Sequence, residues 1–128
     1  MSDDDDVTID WNPVMVEQAI YRASKRIAKG VMAADSAYRA FLKADHEFDK
    51  AEAKAYLALD EKMPVHKRKF EVTLNVTVQA ARDARDVADA AYRLVDKNMK
   101  AIQGELDALR SIGTSVRQAY ATAGVGER

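Results

Sequence analysis

Residues 16–55, VEQAIYRASKRIAKGVMAADSAYRAFLKADHEFDKAEAKA, carry apolar or small side chains at Val16, Ile20, Ala23, Ile27, Gly30, Ala34, Ala37, Phe41, Ala44, Phe48, Ala51 and Ala55. The steps alternate four and three, which an α-helix returns to one face, and spacing kept this long marks a coiled-coil seam. Beyond Pro64 the pattern resumes through Leu74, Val78, Ala81, Arg85, Ala88, Tyr92, Val95, Met99, Ile102, Leu106, Leu109, Gly113, Val116 and Tyr120. The fold expected is all-α, a long antiparallel coiled-coil helical hairpin. A two-helix hairpin buries only a narrow seam, so the chain is further expected to assemble as a dimeric four-helix bundle or a higher oligomer.

A hairpin turning between Pro64 and Val65 pairs positions whose numbers add to 129. In that register Phe41 meets Ala88, Phe48 meets Ala81, Ala37 meets Tyr92, Gly30 meets Met99, Ala55 meets Leu74 and Val16 meets Gly113. Large faces small in each layer, as close packing requires. Arg85, the polar seam residue, faces Ala44, and its guanidinium is expected to reach Asp45 or Asp49.

The expected organisation is an acidic disordered arm at 1–10, a helical hairpin at 11–121 (helix 12–62, turn 63–66, helix 67–121) and a frayed tail at 122–128. Asn12 is read as a helix cap, with Pro13 at the first helical position and Trp11 stapling onto Val16. The segment Val72–Val78 alternates like a strand, yet the seam spacing runs through Leu74 and Val78, which favours helix. Ser111 to Ser115 is read as a kink or stop.

The chain has 128 residues, no cysteine and a net charge of −1. Without cysteine there are no disulfides and no thiolate metal sites, which fits a reducing cytoplasm. No stretch is apolar enough to cross a membrane, and no membrane partner is expected. Five aspartates and no basic residue occupy the first ten positions, so the remaining body is net positive by four.

Four groups of residues are candidates for function. Lys67, Arg68 and Lys69, with Lys62 and His66 nearby, form a basic tip suited to phosphates. Positive charge at a helix start opposes the helix dipole, so this cluster does not serve helix stability. A second apolar stripe, through Val31, Tyr38, Leu42, Tyr56 and Leu59 on one arm and Val87, Ala91 and Leu94 on the other, reads as an oligomer interface. The pairing sum puts Tyr38 beside Ala91 and Leu42 beside Val87, making the stripe continuous across both arms. The arm Asp3, Asp4, Asp5, Asp6, followed by Val7, Ile9 and Trp11, has the makeup of a docking segment for a basic, grooved partner. Asp45, His46, Glu47, Asp49 and Glu52 lack the Glu-x-x-His spacing of helical di-iron sites and read as a solvated face, so no metal or cofactor is expected. Phosphate loops, nucleophile elbows and paired catalytic carboxylates are missing, and no enzyme is expected.

Residues 101–124, AIQGELDALRSIGTSVRQAYATAG, resemble small helical proteins of tailed bacteriophages. More loosely, Leu106, Leu109, Arg110, Ser111, Val116 and Arg117 are similar to the C-terminal helix of phage recombination mediators. That resemblance implies a helical homo-oligomer in the cytoplasm of an infected bacterial host. It further implies an accessory role in DNA recombination or replication, binding single-stranded DNA or a recombinase, with Arg110 and Arg117 joining the tip as phosphate contacts. The alternatives are a phage-encoded protein that binds and diverts a host protein, or a structural component of the virion.

Overall fold

The computed structural model describes residues 10–126, which form α1 (Pro13–Leu57), α2 (Val65–Leu74) and α3 (Val76–Gly126), with no strand among them. Contacts group into two compact units, one from the described parts of residues 1–29 and 99–128, the other from Gly30–Asn98. α1 and α3 run through both and pack against each other within each.

In the first unit, Asn12 opens α1. Its side-chain oxygen accepts the Met15 N–H at 2.9 Å, satisfying an amide that a helix start otherwise leaves bare, and its carbonyl accepts the Val16 N–H at 3.1 Å as the first ordinary helical bond. Ala23, Leu106 and Leu109 form the buried core, with Ala19, Ile20, Ile27 and Trp11 packed around it. Ala23 with Leu106 and Ile20 with Leu109 both fit the sum of 129. Val16, 1% exposed, lies against Gly113, where a Cβ on the glycine would stand 3.0 Å from Val16 Cγ1. Glycine thus lets the opposite helix approach closely here, and it does not break α3. The hydroxyls of Ser111 and Thr114 donate back to the carbonyls of Asp107 (3.3 Å) and Arg110 (3.2 Å). The helix does not stop at 111–115 and continues past the expected end at 121 to Gly126.

The second unit departs further from expectation. α1 stops at Leu57, five residues short of Lys62, and a pair of turns follows, with Asp60 accepting the Lys62 N–H at 3.0 Å and the Met63 N–H at 3.0 Å. Pro64, with extended ψ, starts α2, whose first internal bond is the Arg68 N–H to the Pro64 carbonyl. Asn75 then ends one helix and begins the next. Its N–H donates to the Val72 carbonyl, its own carbonyl accepts from Gln79, and its side chain accepts the Val78 N–H at 3.1 Å. A capping residue thus exists for α3, eight residues beyond the expected helix start.

The break at Asn75 resets the helical phase. Val72 and Val78 are buried with Phe48, and Ala51, Ala55, Tyr56, Leu59 and Ala81 surround them. Leu74, expected opposite Ala55, is instead 67% exposed, because residues before the break no longer share the phase of those after it. The segment 72–78 is helix, interrupted once, and not a strand. Arg85 also differs from expectation, since its guanidinium carbon sits 4.2 Å from the centre of the Phe48 ring and one nitrogen lies 3.5 Å from Asp86. Cation–π contact and partial burial draw it over the aromatic face and away from Asp45 and Asp49.

Along α1 every seam position is buried or half-buried, and on α3 the same holds from Val78 to Val116. Leu74 and Tyr120 are exposed.

The two α3 glycines should respond oppositely to substitution. Gly104 has nothing within 4 Å of where a Cβ would stand, so Gly104→Ala should gain about 1 kcal/mol from helix propensity, while Gly113→Ala should forfeit that gain against Val16; urea unfolding of both variants compares them. Asn75→Ala should lower stability by about 1 kcal/mol and speed hydrogen exchange at the Val78 amide, as loss of a cap does.

Candidate functional site: the basic tip and the exposed apolar faces

Within the second unit, the turn after α1 and the start of α2 bring Lys62, His66, Lys67 and Lys69 to the surface. Among the described residues, none of the three lysines has an ion-pair partner. Arg68 is different. It is half-buried, one guanidinium nitrogen donates to the Glu61 carbonyl, another lies 3.5 Å from the Tyr56 hydroxyl, and the guanidinium carbon is 5.4 Å from the Tyr56 ring centre. Its Nε is buried without a partner. Arg68, expected as a phosphate contact, makes internal contacts here: the side chain ties the turn to Tyr56 of α1. Nothing in the run Lys67-Arg68-Lys69 signals which of three basic residues turns inward.

Beside the lysines lies an open groove of about 670 Å³, lined by Glu52, Ala53, Tyr56, Leu57, Lys69, Val72 and Thr73. Leu57, Phe70 and Leu74 are mostly exposed in the same unit, and Phe70 and Leu74, four apart, share one side of α2. Sequence reasoning missed this groove because it ran α1 past Leu57 and left Val72 off the seam.

The expected oligomer stripe divides. Tyr56 and Leu59 are half-buried against Phe48, Val72 and Val78, so they belong to the fold. The rest separate by flank. Tyr38 follows the seam residue Ala37, whereas Ala91 precedes the seam residue Tyr92, and in antiparallel helices those two relations lie on opposite sides of the seam. Tyr38 rests on Tyr92, ring centres 5.3 Å apart, and shares its flank with Val31 and with half-buried Leu42. Val87, Ala91 and Leu94 lie on the other flank and are exposed. The stripe is thus two separate faces, because a pairing sum finds partners across the seam and does not tell which side of it they occupy.

In the first unit, Arg110 pairs with Asp107 at 3.8 Å and Arg117 is exposed, with one nitrogen close to Gly113. Trp11 packs on the Ala23–Leu106–Leu109 core and is not a free docking residue. Asp3, Asp4, Asp5 and Asp6 lie outside the described residues. His46 and Asp49 are both exposed, and among the described residues no group of three or more His, Asp or Glu is gathered as a metal site.

Arg68→Ala should therefore lower stability by about 1–3 kcal/mol by removing a partly buried charged donor, whereas Lys67→Glu with Lys69→Glu should change it by no more than about 0.5 kcal/mol; thermal or urea unfolding distinguishes the two roles. Comparison with protein-family models, with curated proteins and with solved structures finds no match.

Proposed function

We propose that the protein acts by association and not by catalysis, as an accessory factor in phage DNA recombination or replication that engages single-stranded DNA, or the recombinase or annealing protein on it, as a homo-oligomer. The observation that carries this reading is the set of solvent-facing lysines at the tip, Lys62, Lys67 and Lys69, none of them neutralised within the described chain. Unpaired cations at a helix start have no benefit for the helix and favour an anionic partner. The loose likeness of Leu106, Leu109, Arg110, Ser111, Val116 and Arg117 to the C-terminal helix of phage recombination mediators points in the same direction. Each tip offers few phosphate contacts, so useful affinity comes from several tips acting together in an oligomer.

One observation favours a second reading. The groove beside Lys69, with Phe70 and Leu74 exposed near it, has the apolar character of a protein-docking surface, as a phage protein that diverts a host protein would need.

Fluorescence anisotropy with a labelled single-stranded oligonucleotide, at low and at physiological salt, tests the first reading. Binding should weaken as salt rises, and Lys67→Glu with Lys69→Glu should abolish it while leaving the oligomer intact. Absence of binding at low salt, or binding indifferent to the charge reversal, overturns the DNA reading in favour of the protein partner.

A further inference from the structure

α3 carries a second apolar series beside its seam. Ala80, Ala84, Val87, Ala91 and Leu94 repeat the steps of four and three, and they lie about 100° around the helix from the line that faces α1. All five are exposed, Val87 to 70% and Leu94 to 59%. A helix with two such lines is built to pack against two neighbours, and within its unit α1 covers one line only.

We propose that a second copy of this chain covers the other, α3 against α3, antiparallel about a two-fold axis, in the register where facing positions add to 178. The proposal rests on the self-association in the preceding reading and gives it a surface. In this register Ala84 lies opposite the partner's Leu94 and Ala91 opposite the partner's Val87, and the two-fold axis repeats both layers. Large meets small in each of these layers, the same rule that the hairpin seam obeys.

Charge supports the same register independently. The hairpin supplies the ruler: its seam pairs add to 129, and the ion pair bordering that seam, Arg26 to Glu105 at 2.9 Å, adds to 131. Each of these residues directly precedes a seam position, Ile27 and Leu106. The equivalent positions bordering the second line are 83, 90 and 97, and a seam sum of 178 makes their facing pairs add to 180. Asp83 then meets the partner's Lys97, and Lys97 the partner's Asp83. Both are exposed, neither has an ion-pair partner among the described residues, and neither has an opposite charge three or four residues away on α3. The neighbouring register, adding to 171, keeps Ala84 against the partner's Val87 but sets Ala91 against the partner's Ala80 and Leu94 against the partner's Thr77. It leaves both charges without a partner. Size thus permits the alignment that charge selects, and an interface with its own image needs both to be self-complementary.

Light scattering after size exclusion, over a range of protein concentrations, reads the assembly directly. The unaltered chain should be dimeric. Val87→Glu with Leu94→Glu should give a monomer of unchanged helicity by circular dichroism, since both side chains are exposed in the single chain. Asp83→Lys should raise the dissociation constant roughly tenfold, and adding Lys97→Asp should restore it. Because the chain has no cysteine, Ala90→Cys, which faces itself across the two-fold axis, should be joined by a short thiol crosslinker, and Tyr38→Cys on the opposite flank should not. A monomer at every concentration overturns both this interface and the self-association in the preceding reading. An oligomer that survives the Val87 and Leu94 changes, or that crosslinks through position 38 and not 90, overturns the interface alone. A chain that stays dimeric through this face yet ignores DNA overturns the DNA reading and upholds the interface.

Discussion

The packing of this chain depends on one steric constraint, that in many layers of the seam a large side chain on one helix meets a small one on the other. Val16 against Gly113 is the tightest instance, since a Cβ on the glycine would stand 3.0 Å from the valine. Phe48 beside Ala81 follows the same rule in the second unit. A heptad shift would preserve the spacing and still set Gly30 against Leu106 and Ala37 against Met99, but it would put Val16 against Tyr120 and Phe41 against Val95, where the observed sum gives them Gly113 and Ala88. That register in turn decides which residues flank the seam, and the flanks are where polar chemistry and unpartnered apolar surface are found.

Arginine use in the second unit follows from how little core two helices provide. Arg85 and Arg82 lie over the Phe48 ring at 4.2 and 5.6 Å, and Arg68 over Tyr56 at 5.4 Å. Each supplies aliphatic and planar surface that covers an aromatic ring while its charge stays near water. In a deeper core leucine would do this. Here the arginines themselves lie over the ring faces, and a cation that covers a face without full desolvation is the better lid. Lysine, with a compact hydrated charge, is a poorer lid, which accords with Lys67 and Lys69 facing solvent while Arg68 turns inward.

The flanks show how surface and fold divide. On α3 the line Ala80 to Leu94 is too far around the helix to touch α1, yet its spacing is as regular as that of the seam. On α1, Tyr38 and Leu42 border the seam and are partly covered by it. Two apolar stripes that look alike in sequence therefore differ in cover, one partly shielded where it borders the seam and the other exposed. The distinction comes from the sense in which antiparallel helices present their sides, and it is visible only once a flanking contact such as Arg26–Glu105 is in place.

The helical class, the seam on both arms, the pairing sum, the Asn12 cap and the solvent exposure of the tip lysines were legible along the chain, because each follows from spacing, side-chain volume or local hydrogen bonding. The remaining features arise from contacts between elements. Val72 displaced Leu74 from the core because Asn75 interrupts the helix and resets its phase, an event whose signal, a lone asparagine within a β-branched run, is as compatible with a strand as with a cap. Arg68 turned inward because Tyr56 and the Glu61 carbonyl converge on it across the turn, and α3 runs unbroken through Ser111 and Thr114, whose hydroxyls bond backward along it. Periodicity reports which residues share a face; which face is covered, and by what, is settled only when the helices meet.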